Sequence, residues 1–420
     1  MKQLSIWLVL ELILVTIVMW WAFDPVVVNT YVGHIPMGYD PSRMVELTMG
    51  SSMKVDEEDK WYVHEFDKEY DVITAQLEAL PEVECVFEDR NHYAPLFHGS
   101  SLTGSTYYLD SGDSLVCWNR DFYVGSRVFQ AFGIQSLTPS VPQEHLTDSA
   151  AYNADIIITR TAAMKMFGTT DVCGRRVMSH RGGRMENGEF VLDDTYYNIR
   201  AVVEDFRHTP LGFYPCVVYR CQGMARDNSS FILRLRQGVS ATAFVEKYRR
   251  WFEQDLRAGN VYVRSVMTGD ESMSNTLERY GIVTQNRRNL LIALFFGVNV
   301  AFGVVGTLLM HTRRRSEEAG VMRAFGATRR RVFGMFISEA FVMTTVSVAV
   351  GCIIYLQIAL SKGFYSNDHE AELWFNDFWT HFAVLSTIIY LIILLLVMAG
   401  TAIPAWNICR QDITKTLKDE

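Results

Sequence analysis

The chain has 420 residues, 49% of them apolar and only 20% charged, with a formal net charge of −8. Soluble domains carry about 25% charge, so this composition excludes a purely water-soluble enzyme, a disordered chain and a disulfide-stapled mini-protein. The acidic balance argues against a nucleic-acid partner.

Mean hydropathy is +0.07, and the apolar residues are bunched into four long runs rather than spread evenly. The first run covers residues 4–23, interrupted by Glu11 and Thr16. A hydrocarbon core of about 30 Å needs about 20 helical residues, so this run is expected to span a membrane. Lys2 precedes it, and Trp20, Trp21 and Phe23 close it before Asp24-Pro25, at the depth where amphipathic rings settle. A cleaved signal peptide would have a shorter apolar core and a small-residue cleavage site, so a retained anchor is expected.

Residues 24–286 have the composition and length of a water-soluble domain with a substantial core, expected as two lobes. Tyr70, Ile73, Leu77 and Leu80 recur at helical spacing up to Pro81, and residues 83–87 read as a strand. A strand at 155–159 leads into a short helix at 161–167 that Gly168 stops. Residues 196–203 read as a half-buried strand. Phe231, Leu233 and Leu235 alternate with polar neighbours, then come a helix at 241–256 and a strand at 261–266. The mixed order makes this an α+β domain. From about Glu271 to Met310 one continuous helix is expected, about 60 Å long. Its first part, near 271–286, would stand outside the membrane as a stalk. The alternative is a break at Gly281.

The remaining spans are expected at 290–310, 332–360 and 382–403. Between the second and third lie Arg313, Arg314, Arg315, Arg323, Arg329, Arg330 and Arg331 against only Glu317 and Glu318; between the third and fourth lie Asp368, Glu370, Glu372 and Asp377 against Lys362. Excess Lys and Arg in short loops marks the cytoplasmic side. Both chain ends, including the tail 404–420, are therefore expected inside. Residues 24–286 and the loop 361–380, with its Trp374, Phe375, Phe378 and Trp379, are expected outside. The fold class is an α-helical membrane protein with four transmembrane helices and a large α+β extracytoplasmic domain between the first and second.

The cytoplasmic segment 311–331 has its own pattern. Val321, Met322, Ala324 and Phe325 can form a small apolar face flanked by charge, Gly326 can end a short helix, and Thr328 is placed to cap the next. An amphipathic elbow tied to two spans can take a push from a soluble partner and pass it to both. The alternative is a positively charged turn resting on lipid headgroups.

Residues 318–327, Glu318-Ala319-Gly320-Val321-Met322-Arg323-Ala324-Phe325-Gly326-Ala327, resemble the E-x-G-x-x-R-A-x-G-A signature of the MacB/FtsX-like permeases of ABC transporters. The order of one span, a large outer domain and three further spans is similar to that family. So are Ile156-Ile157-Ile158-Thr159, Ala162 through Gly168, Gly174-Arg175-Arg176-Val177 and Val202 through Phe206 to a MacB-like periplasmic core, and Pro404-Ala405-Trp406 and Leu417 to the closing segment. Ile413 stands where many members carry a proline. Domain size favours the MacB-like branch over cell-division FtsX. The resemblance implies a permease subunit in the bacterial inner membrane, working with a second permease copy or paralogue and a cytoplasmic ABC ATPase. ATP-driven closure of the ATPase would move the elbow and, through the stalk, the outer domain: mechanotransmission for efflux or export of a lipoprotein, peptide or toxic small molecule. On that carry-over Glu318, Gly320, Arg323, Ala324 and Gly326 belong to the ATPase-contacting elbow, and a periplasmic or outer-membrane partner is a further expectation.

No G-x-x-x-x-G-K-[ST], H-E-x-x-H, G-x-S-x-G or G-x-G-x-x-G occurs. The chain is expected to be non-catalytic and to bind no cofactor, with ATP and Mg on the partner. The first span begins at residue 4, so a fused amino-terminal ATPase is not expected. The ten histidines are scattered, His92 and His98 being the nearest useful pair, and no metal site is expected. The seven cysteines read as small buried hydrophobes, with Cys216 and Cys221 the pair close enough to raise a bridge. Glu11, Glu339 and Asn299 lie within spans, where polar groups are costly and are functional candidates; helix–helix pairing is the expected role. Two other readings remain open. One is an FtsX-like signalling module that controls an extracytoplasmic partner without transport. The other is a membrane-anchored binding protein with no ATPase.

Overall fold

The computed structural model describes residues 2–51, 67–90, 103–186, 189–207, 210, 214–224, 226, 229–310, 319–365 and 377–410. The chain divides into two compact units, one of residues 34–280 with 368–372 and the other of 1–33, 281–367 and 373–420.

The first unit begins with β1 (Met44–Ser51), α2 (Asp67–Glu78) and β2 (Val83–Asp89), following the end of α1 (Lys2–His34). Then come β3 (Thr103–Tyr108), β4 (Ser114–Phe122), α3 (Val128–Phe132), β5 (Asp155–Thr159), α4 (Arg160–Phe167), β6 (Arg176–Glu186), β7 (Glu189–Val203) and β8 (Val217–Cys221). It closes with β9 (Ser230–Leu235), α5 (Ala241–Gln254), β10 (Arg257–Ala258), β11 (Val261–Thr268) and α6 (Gly269–Arg279). The strands make a five-stranded sheet in the order β10-β11-β1-β9-β2 and a closed barrel β3-β4-β8-β5-β7-β6. The barrel segment is thus an insertion between β2 and β9, which pair antiparallel.

Tyr70, Ile73 and Leu77 of α2 and Phe244, Val245 and Phe252 of α5 bury one face of the sheet with Leu47 and Leu233. Met44, Phe87 and Ile232 from the sheet join Phe122, Ile157 and Tyr219 from the barrel in a second core. The two expected lobes are therefore a sheet and a barrel sharing one apolar seam. This also explains β9. Alternation would leave its even positions wet, yet Phe231, Ile232 and Leu233 are all buried, because the strand lies between two cores. Cys216 packs in the barrel core with Cys117, whereas Cys221 packs in the shared core, and all seven cysteines are free. An odd offset along one strand sends side chains to opposite faces, so the Cys216–Cys221 bridge does not form.

The second unit contains α1 together with α7 (Ile282–Met310), a short helix α8 over 319–324, α9 (Arg329–Lys362) and α10 (Phe378–Arg410). α1, α7, α9 and α10 are long and apolar enough to cross a membrane. Three boundaries differ from expectation. α1 does not stop at Phe23 but continues through Pro25 to His34, and α10 continues through Pro404 to Arg410. Neighbouring helices and buried side chains can hold a helix together past a missing N–H. The continuous helix expected over 271–310 is broken. α6 ends at Arg279 and Gly281 takes φ +73°, a left-handed turn that glycine adopts without steric cost. The other end of α6 is strongly fixed: Thr268 and Glu271 form a reciprocal capping box.

The helical core is built on α1. Trp20 is fully buried and stacks on Tyr355 (4.7 Å), Phe382 (5.4 Å) and Phe364 (5.9 Å), while its indole N–H points at Cys352 Sγ at 3.4 Å. One turn below, Thr16 meets Gly351 of α9 so closely that a β-carbon on Gly351 would lie 2.6 Å from Thr16 Cβ. Small residues permit that approach, which drives helix association where lipid removes the hydrophobic term.

Candidate functional site

The elbow is a short helix with a tightly determined end. Phe325 N–H donates to Val321 O, Gly326 N–H to Arg323 O, and Ala327 N–H to Met322 O. The last two are the paired bonds of a Schellman motif, with Gly326 at φ +92° in the left-handed position. Two residues on, the Thr328 hydroxyl accepts from Arg331 N–H and starts α9. The helix is anchored on one side. Ala319 is buried among Val332 and Phe336 of α9 and Ala405, Ile408 and Cys409 of α10. Gly320 is buried too, and Arg323 Nη1 donates to the Cys409 carbonyl at 3.4 Å. A displacement of α8 thus bears on both long helices.

The other side of α8 is bare among the described residues. Val321 is 46% exposed, Met322 40% and Phe325 89%, and Ala324 is exposed as well. The small apolar face read from the sequence therefore points away from the bundle. Exposed Arg329, Arg330 and Arg331 flank it. Of the elbow residues, Gly320, Arg323, Ala324 and Gly326 lie in this unit, with the first two facing inward; Glu318 lies outside the described residues. Phe325 is the most exposed member of this face, and its place next to the αL glycine is the sequence signal for it.

The intramembrane candidates do not converge. Glu11 is half-buried against α7, its carboxylate oxygens 2.6 and 2.7 Å from the point where a Gly303 β-carbon would sit. It occupies a helix–helix contact. Glu339 lies on the exposed side of α9. Asn299 makes no interhelical bond among the described residues: its Nδ2 donates to Phe295 O of its own helix at 2.8 Å.

A polar junction that sequence reasoning missed lies at the far end of the bundle from the elbow. Asp24 Oδ1 is 2.8 Å from His381 Nε2, and Asp24 Oδ2 accepts from Tyr365 N–H at 2.9 Å. The Tyr365 hydroxyl donates to Gln285 Oε1 at 3.1 Å, and Asn29 Nδ2 donates to Asn286 Oδ1 at 2.9 Å. His381 stacks on Phe364 at 4.1 Å between ring centroids. α1, α7, α10 and the segment after α9 are thus tied by buried and half-buried polar contacts. An acid placed directly before a proline and a histidine three residues into the last helix were the signals.

Among the described residues, no group of three or more His, Cys, Asp or Glu side chains gathers to hold a metal. His92 and His98 lie outside the described residues.

Residues 290–413 match the FtsX-like permease C-terminal family. No curated protein matches the chain. Three solved structures are similar to it. One is a domain of a permease protein from Porphyromonas gingivalis (16% identity, 55% of this chain and 92% of that one, TM-score 0.29). Another is the periplasmic region of MacB from Actinobacillus actinomycetemcomitans (10% identity, 59% and 97%, TM-score 0.32). The third is the extracellular domain of the noncanonic ABC-type transporter YknZ from Gram-positive bacteria (12% identity, 52% and 100%, TM-score 0.26). The matched segment 290–413 covers most of α7 and all of α8, α9 and α10, and this part of the chain is an FtsX-like permease C-terminal domain.

Proposed function

We propose that the chain is the permease subunit through which a separate cytoplasmic ABC ATPase moves an extracytoplasmic domain. It would sit in the bacterial inner membrane with both termini and the elbow in the cytoplasm and residues 34–280 outside. The work done is mechanotransmission, driving efflux or export of a lipoprotein, peptide or toxic small molecule, with a second permease copy or paralogue completing the assembly. The observation that carries this reading is the two-sidedness of α8. Ala319, Gly320 and Arg323 hold it to α9 and α10, while Val321, Met322 and Phe325 remain exposed beside three arginines. An element fixed to two spans and bare on its other face is suited to receive a push. Apolar knobs ringed by cations complement an acidic-rimmed groove on a soluble partner.

Affinity purification in mild detergent tests it. The ATPase should co-purify with the chain and lose stimulation of its turnover when Arg323→Glu or Gly320→Trp is introduced, with membrane insertion intact. Unchanged binding and turnover in both variants would remove the elbow assignment. ATPase stimulation by a candidate substrate supports transport; stimulation of an extracytoplasmic partner's activity without substrate movement supports the signalling reading.

A further inference from the structure

α7 presents two different faces. Ala293, Val300 and Val304 are buried in the core of the bundle, and a β-carbon on Gly297 would lie 3.4 Å from Leu396 of α10. The opposite face is bare among the described residues. Phe295 is 63% exposed and Phe302 72%, and Asn299 between them is exposed as well. Ile292, Phe295, Asn299, Phe302 and Gly306 follow one another at alternating steps of three and four. That is the period of a helix–helix seam, whose mean of about 3.5 residues keeps one stripe turned toward a partner helix. A β-carbon on Gly306 would meet no atom of the described residues within 4 Å, so the stripe ends in a notch where a second helix can come close.

Lipid satisfies the apolar members of this stripe but not Asn299. Its Nδ2 donates to Phe295 O at 2.8 Å. One amide hydrogen and the side-chain carbonyl are left without a partner among the described residues. Asn299 lies about 14 Å along the helix from Leu290 and about 16 Å from Met310, at a rise of about 1.5 Å per residue. Its side chain is too short to reach a headgroup from that depth. A polar group at mid-span therefore calls for a protein partner. An amide carries a donor and an acceptor together, so a second amide completes it. Two copies of a membrane chain inserted in the same orientation are related by a two-fold axis along the membrane normal. A residue on their shared seam then meets its own counterpart at the same depth.

We propose that the Phe295–Asn299–Phe302 face of α7 docks on the same face of a second copy of this chain, Asn299 to Asn299, the free Nδ2 hydrogen of one amide donating to the Oδ1 of the other. The inference rests on the second permease copy of the proposed function and gives it a contact face. Neither the ATPase nor a substrate is needed to read it.

The test uses the full chain in proteoliposomes. In a Cys173→Ser background the remaining cysteines are buried. Gly306→Cys should then give a covalent dimer on oxidation with copper phenanthroline, whereas Leu395→Cys, on an α10 position 70% exposed, should not. Association of otherwise native chains is read by energy transfer between fluorophores on Cys173 as the chain-to-lipid ratio is lowered. Asn299→Leu should move the midpoint to about tenfold higher chain density, the scale of an interhelical amide bond. Asn299→Gln, which keeps an amide, should move it less. The unfolding temperature of Asn299→Leu in monomerising detergent should match that of the native chain, because the bond lost there lies within one helix. No dimer from Gly306→Cys, equal cross-linking at both positions, or native association of Asn299→Leu would each overturn the proposal. An ATPase that still co-purifies with a chain failing these tests would leave the permease reading standing, with a paralogue as the second copy.

Discussion

Asp24 and His381 are 357 positions apart in the chain and 2.8 Å apart in the fold, with side chains only 3% and 2% exposed. Their contact joins the first long helix to the last. Truncating one partner of a buried polar pair strands the other, at a cost of several kcal/mol, whereas replacing both by apolar groups of similar shape can be nearly neutral. Asp24→Ala strands both His381 Nε2 and Tyr365 N–H. It should therefore lower the unfolding free energy of the detergent-solubilised chain by about 2–4 kcal/mol. Asp24→Leu combined with His381→Phe should cost clearly less than Asp24→Ala alone. If the double variant is the worse of the two, the pair is not what holds that end together.

The crossing of α1 and α9 depends on Gly351. A β-carbon there would lie 2.6 Å from Thr16 Cβ, 2.8 Å from Thr16 Cγ2 and 3.2 Å from Ile13 O. The last is backbone and cannot step aside. Gly351→Ala should cost about 1–3 kcal/mol, as overpacked cores do, and Gly351→Leu should prevent a stable bundle. Adding Thr16→Gly to Gly351→Ala should recover part of the loss. Thermal unfolding of the four chains in one detergent checks this; an unperturbed Gly351→Ala would show that the helices are not in contact at this point.

Much of this arrangement was legible in the sequence, and the reasons differ by element. The four long helices were visible because lipid imposes length and apolarity at once. Their ends were not, because Pro25 and Pro404 read as stops and only packing can carry a helix through proline. β5 and α4 were placed at 155–159 and 161–167 because a buried apolar run, a helical pattern and Gly168 follow one another locally. The barrel was not readable: β4 pairs with β8 across about a hundred residues, as Asp121↔Arg220 shows, and no local pattern encodes such a partner. The elbow's Gly326 and Thr328 were legible because capping is local chemistry. The outward direction of Val321, Met322 and Phe325 was not, because it depends on where α9 and α10 lie. The Asp24–His381 contact is a product of long-range folding alone.

Phe325 and Gly326 separate two roles of the elbow. Phe325 is 89% exposed, so Phe325→Ala should leave unfolding unchanged within about 0.5 kcal/mol, as surface substitutions do. It should still reduce recovery of the ATPase in a pull-down by about tenfold, the scale of an aromatic interface anchor. Gly326→Val forces a β-branched residue into φ +92° and should cost about 1–3 kcal/mol locally, disordering α8 and weakening ATPase recovery as well. Full recovery with Phe325→Ala would mean that the exposed knob is not the contact.

The cysteines report both burial and side of the membrane. Burial pushes the Cys85 thiol from 9.0 up to about 11, and Cys117 is raised by burial as well, whereas Cys173 is exposed. The folded chain therefore favours protonated Cys85. Its contribution to stability is complete below about pH 9, where the unfolded thiol is also protonated, and is lost as pH rises through about 11. Thiolate, not thiol, reacts with maleimide. At neutral pH a membrane-impermeant maleimide should thus label Cys173 quickly and Cys85, Cys117, Cys216 and Cys221 only after denaturation. Applied to intact spheroplasts, it should reach Cys173 without lysis, because residues 34–280 are proposed to face outward. Labelling of Cys173 only after lysis would invert the orientation and place Arg323 and Phe325 on the side away from any cytoplasmic ATPase.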